Sequence, residues 1–190
     1  VLTGDRGYLF HFKPGDRTPE VYPPAVVGGG ITGFHDGLQV LAVDRFGRAW
    51  LRTSGGYCIF DPHNQQFLRF PYQNAPDKIF PDISEFVADN KGRMWCIGPE
   101  ELGWIDQAHP EQGIQQRYDR STGFYFAPLG ALKIDQQGHV WFTCNRGLVQ
   151  FSPADRSYKI YPANNHAMLF LPDGKLIMSF GDGVSVVHPD

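Results

Sequence analysis

The chain of 190 residues has no run of 18 apolar residues, so it holds no segment of the length a membrane-spanning helix needs. It shows no secretory leader pattern either. Charge is sparse: Asp, Glu, Lys and Arg make up 19% of the residues and sum to −3. No basic stripe gathers among them, which argues against nucleic acid as a partner. Cysteine is scarce too. Cys58, Cys96 and Cys144 stand 38 and 48 residues apart, so none forms the close pair of a structural zinc site. They are expected to be buried strand residues. The histidines share no repeat position and no metal-ligand spacing, and G-x-S-x-G is missing. No cofactor, metal site or catalytic residue is therefore expected. Because the chain opens on Val1 rather than Met, it is expected to be a processed or excised piece of something longer.

What is abundant is turn chemistry and aromatic bulk. There are 22 Gly and 15 Pro, and aromatics reach 14% within a hydrophobic content of 42%. That mixture suits many short strands joined by frequent turns and argues against disorder. Three heptads organise it: DRFGRAW from Asp44, DNKGRMW from Asp89 and DQQGHVW from Asp135. Their tryptophans, Trp50, Trp95 and Trp141, recur at intervals of 45 and 46 residues. An apolar run precedes each Asp, and a second Gly comes after each Trp (Gly56, Gly103, Gly147). Each unit closes on aromatics: FLRFPY, IQQRY or YKIYP. A decayed fourth copy, PDGKLIMSFGDGVSVVHP, has Ile177 where Trp would stand. The N-terminal TGDRGYLFHFKPG matches the second half of a unit.

Each unit reads as four short strands, a to d, with no segment of sustained helical period. Four-stranded units of about 45 residues are the signature of β-propeller blades. The expected fold is all-β, with antiparallel four-stranded blades forming an arc of about four to five from a larger propeller. The boundaries are 1–24 (partial blade), 34–72, 82–118, 128–161 and 166–190 (partial blade). Closure into a four-bladed ring, the last unit borrowing the strand near Val21, would leave the N-terminal VLTGDRGYLFHF surplus. An open arc exposes apolar flanks, so a second copy or the rest of a parent propeller is an expected partner. In the heptad, Asp is expected to hydrogen-bond the backbone two residues on and Gly to take positive φ. Trp supplies an apolar plate of roughly 150–250 Å². Trp141→Ala is accordingly expected to cost about 3–5 kcal/mol. Asp135→Ala, counted as one turn bond, should cost about 1 kcal/mol.

D-x-x-G-x-x-W, then T-x-x-x-G-L, then an aromatic-Asp/Ser-Pro turn, resembles the two-component regulator propeller repeat. WFTCNRGLVQFSP from Trp141 and WLRTSGGYCIFDP from Trp50 carry the resemblance best. It covers almost the whole chain as three full and two partial units. It departs at CIGPEELG, which lacks the T-x-x-x-G-L element, and at Ile177. The resemblance implies the periplasmic sensor region of a membrane-anchored bacterial hybrid histidine kinase, often responsive to glycan fragments. It implies no universal ligand residues. Sialidase-type Asp boxes fit less well, since they place Gly two residues after Asp rather than three. The virginiamycin B lyase propeller is nearer in style, and a lyase or hydrolase is the alternative reading. A protein-interaction propeller without a small ligand is the third.

In up-and-down blades the a–b and c–d turns share one end of the sheet, and the b–c and d–a loops share the other. The d–a loops are long, and long loops on a rigid scaffold commonly carry binding. The loop end offers Arg6, His35, Glu100, Glu101, Tyr125, Asn145 and Arg146 as candidate ligand-binding residues. Each has a plainer reading. Arg6 and Arg146 share a repeat position, which suits a recurring structural hydrogen bond. Glu100 and Glu101 suit solvated surface, Tyr125 a loop anchor, and His35 a residue beside a turn.

Overall fold

The structure is a computed structural model that describes residues 2–5, 8–28, 38–53, 55–71, 82–161, 167–180 and 183–187. These residues group into two units, one drawn from 1–81 and 105–115, the other from 82–104 and 116–190. Arg6 and His35 lie outside the described residues.

In the first unit, β1 (Leu2–Asp5), β2 (Tyr8–His11) and β3 (Glu20–Tyr22) form an antiparallel sheet in chain order. The strand near Val21 thus pairs within its own sheet, Phe10 opposite Val21, and is not lent to the last one. The segment after it, read from sequence as loop, begins with a single helical turn, α1 (Pro24–Gly28). Proline at the first helical position suits that start, since its missing N–H has no partner to lose there. The Arg69 guanidinium donates to the carbonyls of Val26 and Val27 and closes the other end. Five residues are too few to show a helical period in sequence.

The second sheet is a meander of β4 (Gln39–Val43), β5 (Ala49–Thr53), β6 (Gly56–Asp61) and β7 (Gln66–Pro71). Its middle strands are buried on both faces, which is why their sequences do not alternate with polar residues. Tyr22, Phe60 and Phe67 pack their rings together, with centroids 4.6 Å (Tyr22–Phe60) and 4.7 Å (Phe60–Phe67) apart. Leu9, Val27, Leu51 and Cys58 complete that core. Gly56 opens β6 at φ 150°, and a Cβ there would sit 2.4 Å from the Phe70 carbonyl oxygen, so only glycine fits the crossing.

The third sheet orders β8 (Glu85–Ala88), β9 (Arg93–Ile97), β10 (Leu102–Asp106) and β11 (Ile114–Tyr118). The division between units falls inside β10 and β11. In the second unit, β12 (Pro128–Ile134), β13 (Val140–Cys144), β14 (Gly147–Phe151) and β15 (Tyr158–Tyr161) make a full antiparallel meander. The last sheet is β16 (Ala167–Phe170), β17 (Leu176–Phe180) and β18 (Gly183–Val187). Every sheet keeps chain order, the mark of propeller blades.

Trp50, Trp95 and Trp141 are buried to within 1%. Trp95 stacks on Tyr118 at 6.2 Å, and Trp141 stacks on Tyr161 at 5.6 Å. Burying each indole is worth on the order of 4–6 kcal/mol before entropy is counted. Between β8 and β12 one tie is polar. A bulge in β12, with Gly130 and Ala131 both at positive φ, takes two N–H groups out of the ladder to β13. The Glu85 carboxylate accepts both, from Ala131 N at 2.6 Å and Leu132 N at 2.8 Å.

Candidate functional site

At the turn end, each Asp of the three heptads does more than close a turn. Asp44 Oδ1 accepts the backbone N–H of Phe46 and of Arg48, both at 2.9 Å. Its Oδ2 accepts Arg48 Nε at 2.8 Å and the Trp50 indole N–H at 3.2 Å. Asp89 repeats the set with Lys91 N and Arg93 N at 2.9 Å, Arg93 Nε at 2.6 Å and Trp95 Nε1 at 3.0 Å. Asp135 takes His139 N at 2.9 Å, His139 Nδ1 at 2.8 Å and Trp141 Nε1 at 2.8 Å. The glycines Gly47, Gly92 and Gly138 stand at φ 78°, 86° and 89°. The expected positive-φ glycine is present in all three turns, and the expected bond to the backbone two residues on is present at Asp44 and Asp89; in all three the carboxylate also holds the indole and the residue four positions on. Burial alone would push the Asp89 carboxyl up. Hydrogen bonds from the Arg93 backbone, the Trp95 indole and the Arg93 side chain outweigh it and hold the group below its ordinary value.

The fourth copy lacks both partners. Leu171 occupies the Asp position, since Leu171 N donates to Lys175 O and Gly174 N to Leu171 O as in the other turns. Ile177 occupies the Trp position. Acceptor and donor are both absent from this copy. In the first unit the turn at Asp44 is also latched from outside: Gln107 Oε1 accepts Arg45 N at 3.1 Å and the Gln107 carbonyl accepts the Arg48 guanidinium.

Two of the clefts at this end of the second unit are wide. One, of about 430 Å³, runs between the 134–139 turn and the 170–175 turn, with Gln150 in its wall. The other, of about 330 Å³, is bounded by Arg93, Trp104, Tyr118 and His139. Arg93 lies over the rings of Trp95 and Trp104, 4.9 and 5.9 Å from their centroids. Nothing in the repeat pattern singles out Trp104 or Gln150. The usable signal is the change from Arg to His four residues after the Asp.

At the other end, the sequence-derived candidates divide. Glu100 is exposed and its carboxylate accepts Arg120 Nη2 at 2.7 Å. Glu101 lies 3.4 Å from Arg117 Nε. These pairs join the β9–β10 loop to β11 and to the segment after it. Tyr125 is 71% exposed, so it is not the loop anchor; Phe124 and Phe126 on either side are buried and do that work. Asn145 and Arg146 form the exposed β13–β14 turn, where Arg146 N donates to Cys144 Sγ at 3.3 Å. Among the described residues the Arg146 guanidinium makes no hydrogen bond. All three cysteines are free and buried, and burial pushes the Cys58 thiol up to about 12. Among the described residues no three His, Cys, Asp or Glu side chains gather as a metal site, and no helix is long and apolar enough to cross a membrane.

No protein-family model matches the chain, and no curated protein matches it in sequence. Its likeness is to solved structures. One is the extracellular domain assigned to a one-component system, BT4673, from B. thetaiotaomicron: 19% identical, TM-score 0.72, over 100% of this chain and 28% of that one. Another is the extracellular domain assigned to the hybrid two-component system BT3049 of the same organism: 17% identical, TM-score 0.67, over 100% of this chain and 27% of that one. YCF48 from Cyanidioschyzon merolae is 14% identical with TM-score 0.66, over 97% of this chain and 64% of that one. The chain thus spans little more than a quarter of the two extracellular domains. With identities this low the likeness speaks for architecture, and the chain is built of β-propeller blades.

Proposed function

We propose that this chain is part of the extracytoplasmic sensor propeller of a bacterial two-component signalling protein, and that it has no catalytic role of its own. One observation carries the reading. The in-phase repeat resembles the regulator propeller repeat, and the chain aligns along its full length with extracellular domains assigned to a one-component and a hybrid two-component system. The fold alone would not suffice, since unrelated proteins share it. On this reading the parent is anchored in the membrane and the segment lies in the periplasm. Its ligand is a glycan fragment received at the loop end, where Tyr125, Asn145, Arg146 and the Glu100–Arg120 pair are exposed.

The test uses the full-length parent protein in its membrane. Its coding sequence should contain a membrane helix and a histidine kinase. Phosphotransfer should respond to a glycan-fragment panel, and Tyr125→Ala or Arg146→Ala should weaken the response about tenfold. A parent without a kinase overturns the signalling reading. A responsive parent indifferent to both substitutions overturns the loop-end site.

A further inference from the structure

The larger turn-end cleft sits where the repeat breaks its own rules. Copies one and two carry Arg48 and Arg93 four residues after the Asp, each bonded to it. The third copy has His139, a shorter side chain, and the next turn has Leu171 in place of the carboxylate. Both residues line the opening of about 430 Å³, a volume in the range of small-molecule sites.

The charges in its wall are already engaged. Asp135 accepts three donors, and Asp173 pairs with Lys175 at 2.7 Å. Gln150 is different. It is 94% buried (6% exposed), and its Oε1 accepts the Tyr161 hydroxyl at 3.1 Å. Its Nε2 faces His139 Nδ1 at 3.3 Å. That nitrogen carries the proton it gives to Asp135 Oδ2, so it has no lone pair for the amide. The Gln150 NH₂ can therefore donate into the cleft that the side chain lines. In the neutral imidazole, a proton on Nδ1 leaves His139 Nε2 as an acceptor. A hydroxyl group satisfies both, accepting from the amide and donating to the imidazole. Phe170 and Leu171 add an apolar floor.

We propose that this cleft, between the β12–β13 and β16–β17 turns, binds a small uncharged ligand rich in hydroxyl groups. It is a second site at the opposite end of the blades from the loop-end surface, and it does not depend on the signalling reading.

Titration of the chain with neutral methyl glycosides and disaccharides, to about 10 mM, tests it, with glucuronate and glucosamine as charged counterparts. The neutral compounds should bind with dissociation constants of about 1 mM or tighter. They should move the NMR signals of the Gln150 amide and of residues 134–139 and 170–175. His139→Arg restores the residue of the other copies and fills the opening; it should keep the melting temperature and weaken binding at least tenfold. Gln150→Glu, of equal size, should weaken it likewise, which keeps the test valid if the first variant folds poorly. Tyr125→Ala should leave it unchanged. No binding by any neutral compound, equal binding of the charged ones, or indifference to both cleft variants overturns the proposal. Signals that move only at the loop end overturn it too.

Discussion

Trp141 Nε1 lies 2.8 Å from Asp135 Oδ2, across a hairpin and six residues along the chain. The indole is wholly buried, so its N–H has this carboxylate or nothing. That changes the balance expected from sequence, where Asp135 counts as one turn bond. Asp135→Ala should cost about 2–4 kcal/mol, because it orphans a buried donor and removes a charged acceptor. Trp141→Phe should cost about 1–2 kcal/mol, the loss of one hydrogen bond to a charged group and some packing. The double variant should be less destabilised than the sum of the two singles. Urea unfolding of the four proteins measures the coupling, and additive costs would contradict it.

Asp89 gives the pH dependence. Its folded carboxyl lies below the ordinary value of 3.8, so it contributes stability that is complete above about pH 4 and is lost as pH falls through the folded value. The melting temperature should therefore fall on acidification below about pH 4. Asp89→Asn should be less stable at neutral pH and should show a shallower acid limb. An unchanged limb would mean that the Asp89 cluster does not set it.

Glu85 should prove more than a surface acid. Glu85→Ala leaves the Ala131 and Leu132 N–H groups at the β12 bulge without their carboxylate, at a cost of about 2–4 kcal/mol. Amide exchange at Ala131 and Leu132 should accelerate before that of Phe142 or Val149. Uniform acceleration would show global loosening instead.

The thiol of Cys58 offers a probe of opening. With its pKa about 12 and the side chain buried, it should resist a thiol reagent at about pH 8. Labelling should track the unfolding equilibrium in urea. Rapid labelling of the folded chain would contradict its burial.

The blades are legible in sequence because Asp, Gly and Trp recur at fixed spacing and each has a local reason to be there. The Asp–Trp bond is not legible, since the turn explains the Asp without it; only the antiparallel pairing of strands brings the indole back. Glu85 stands about one repeat before its partners, 46 residues from Ala131, yet nothing local marks the pair. Tyr125 reads as an anchor because Phe124 and Phe126 flank it, although alternate residues of an extended segment face opposite ways. The turn-end cleft is assembled by residues of two sheets, and His139 reads as a lone histidine until its Asp partner is in place.

The fourth turn shows the evolutionary cost of a bond made by two residues that each depend on the other. A buried carboxylate without its indole, or an indole without its carboxylate, is a worse neighbour than neither, so drift through either single change is uphill. The fourth turn has neither partner, with Leu171 and Ile177 in the two positions. Degenerate copies of this repeat should therefore be sought as linked pairs, with a vanished tryptophan expected to take its aspartate with it.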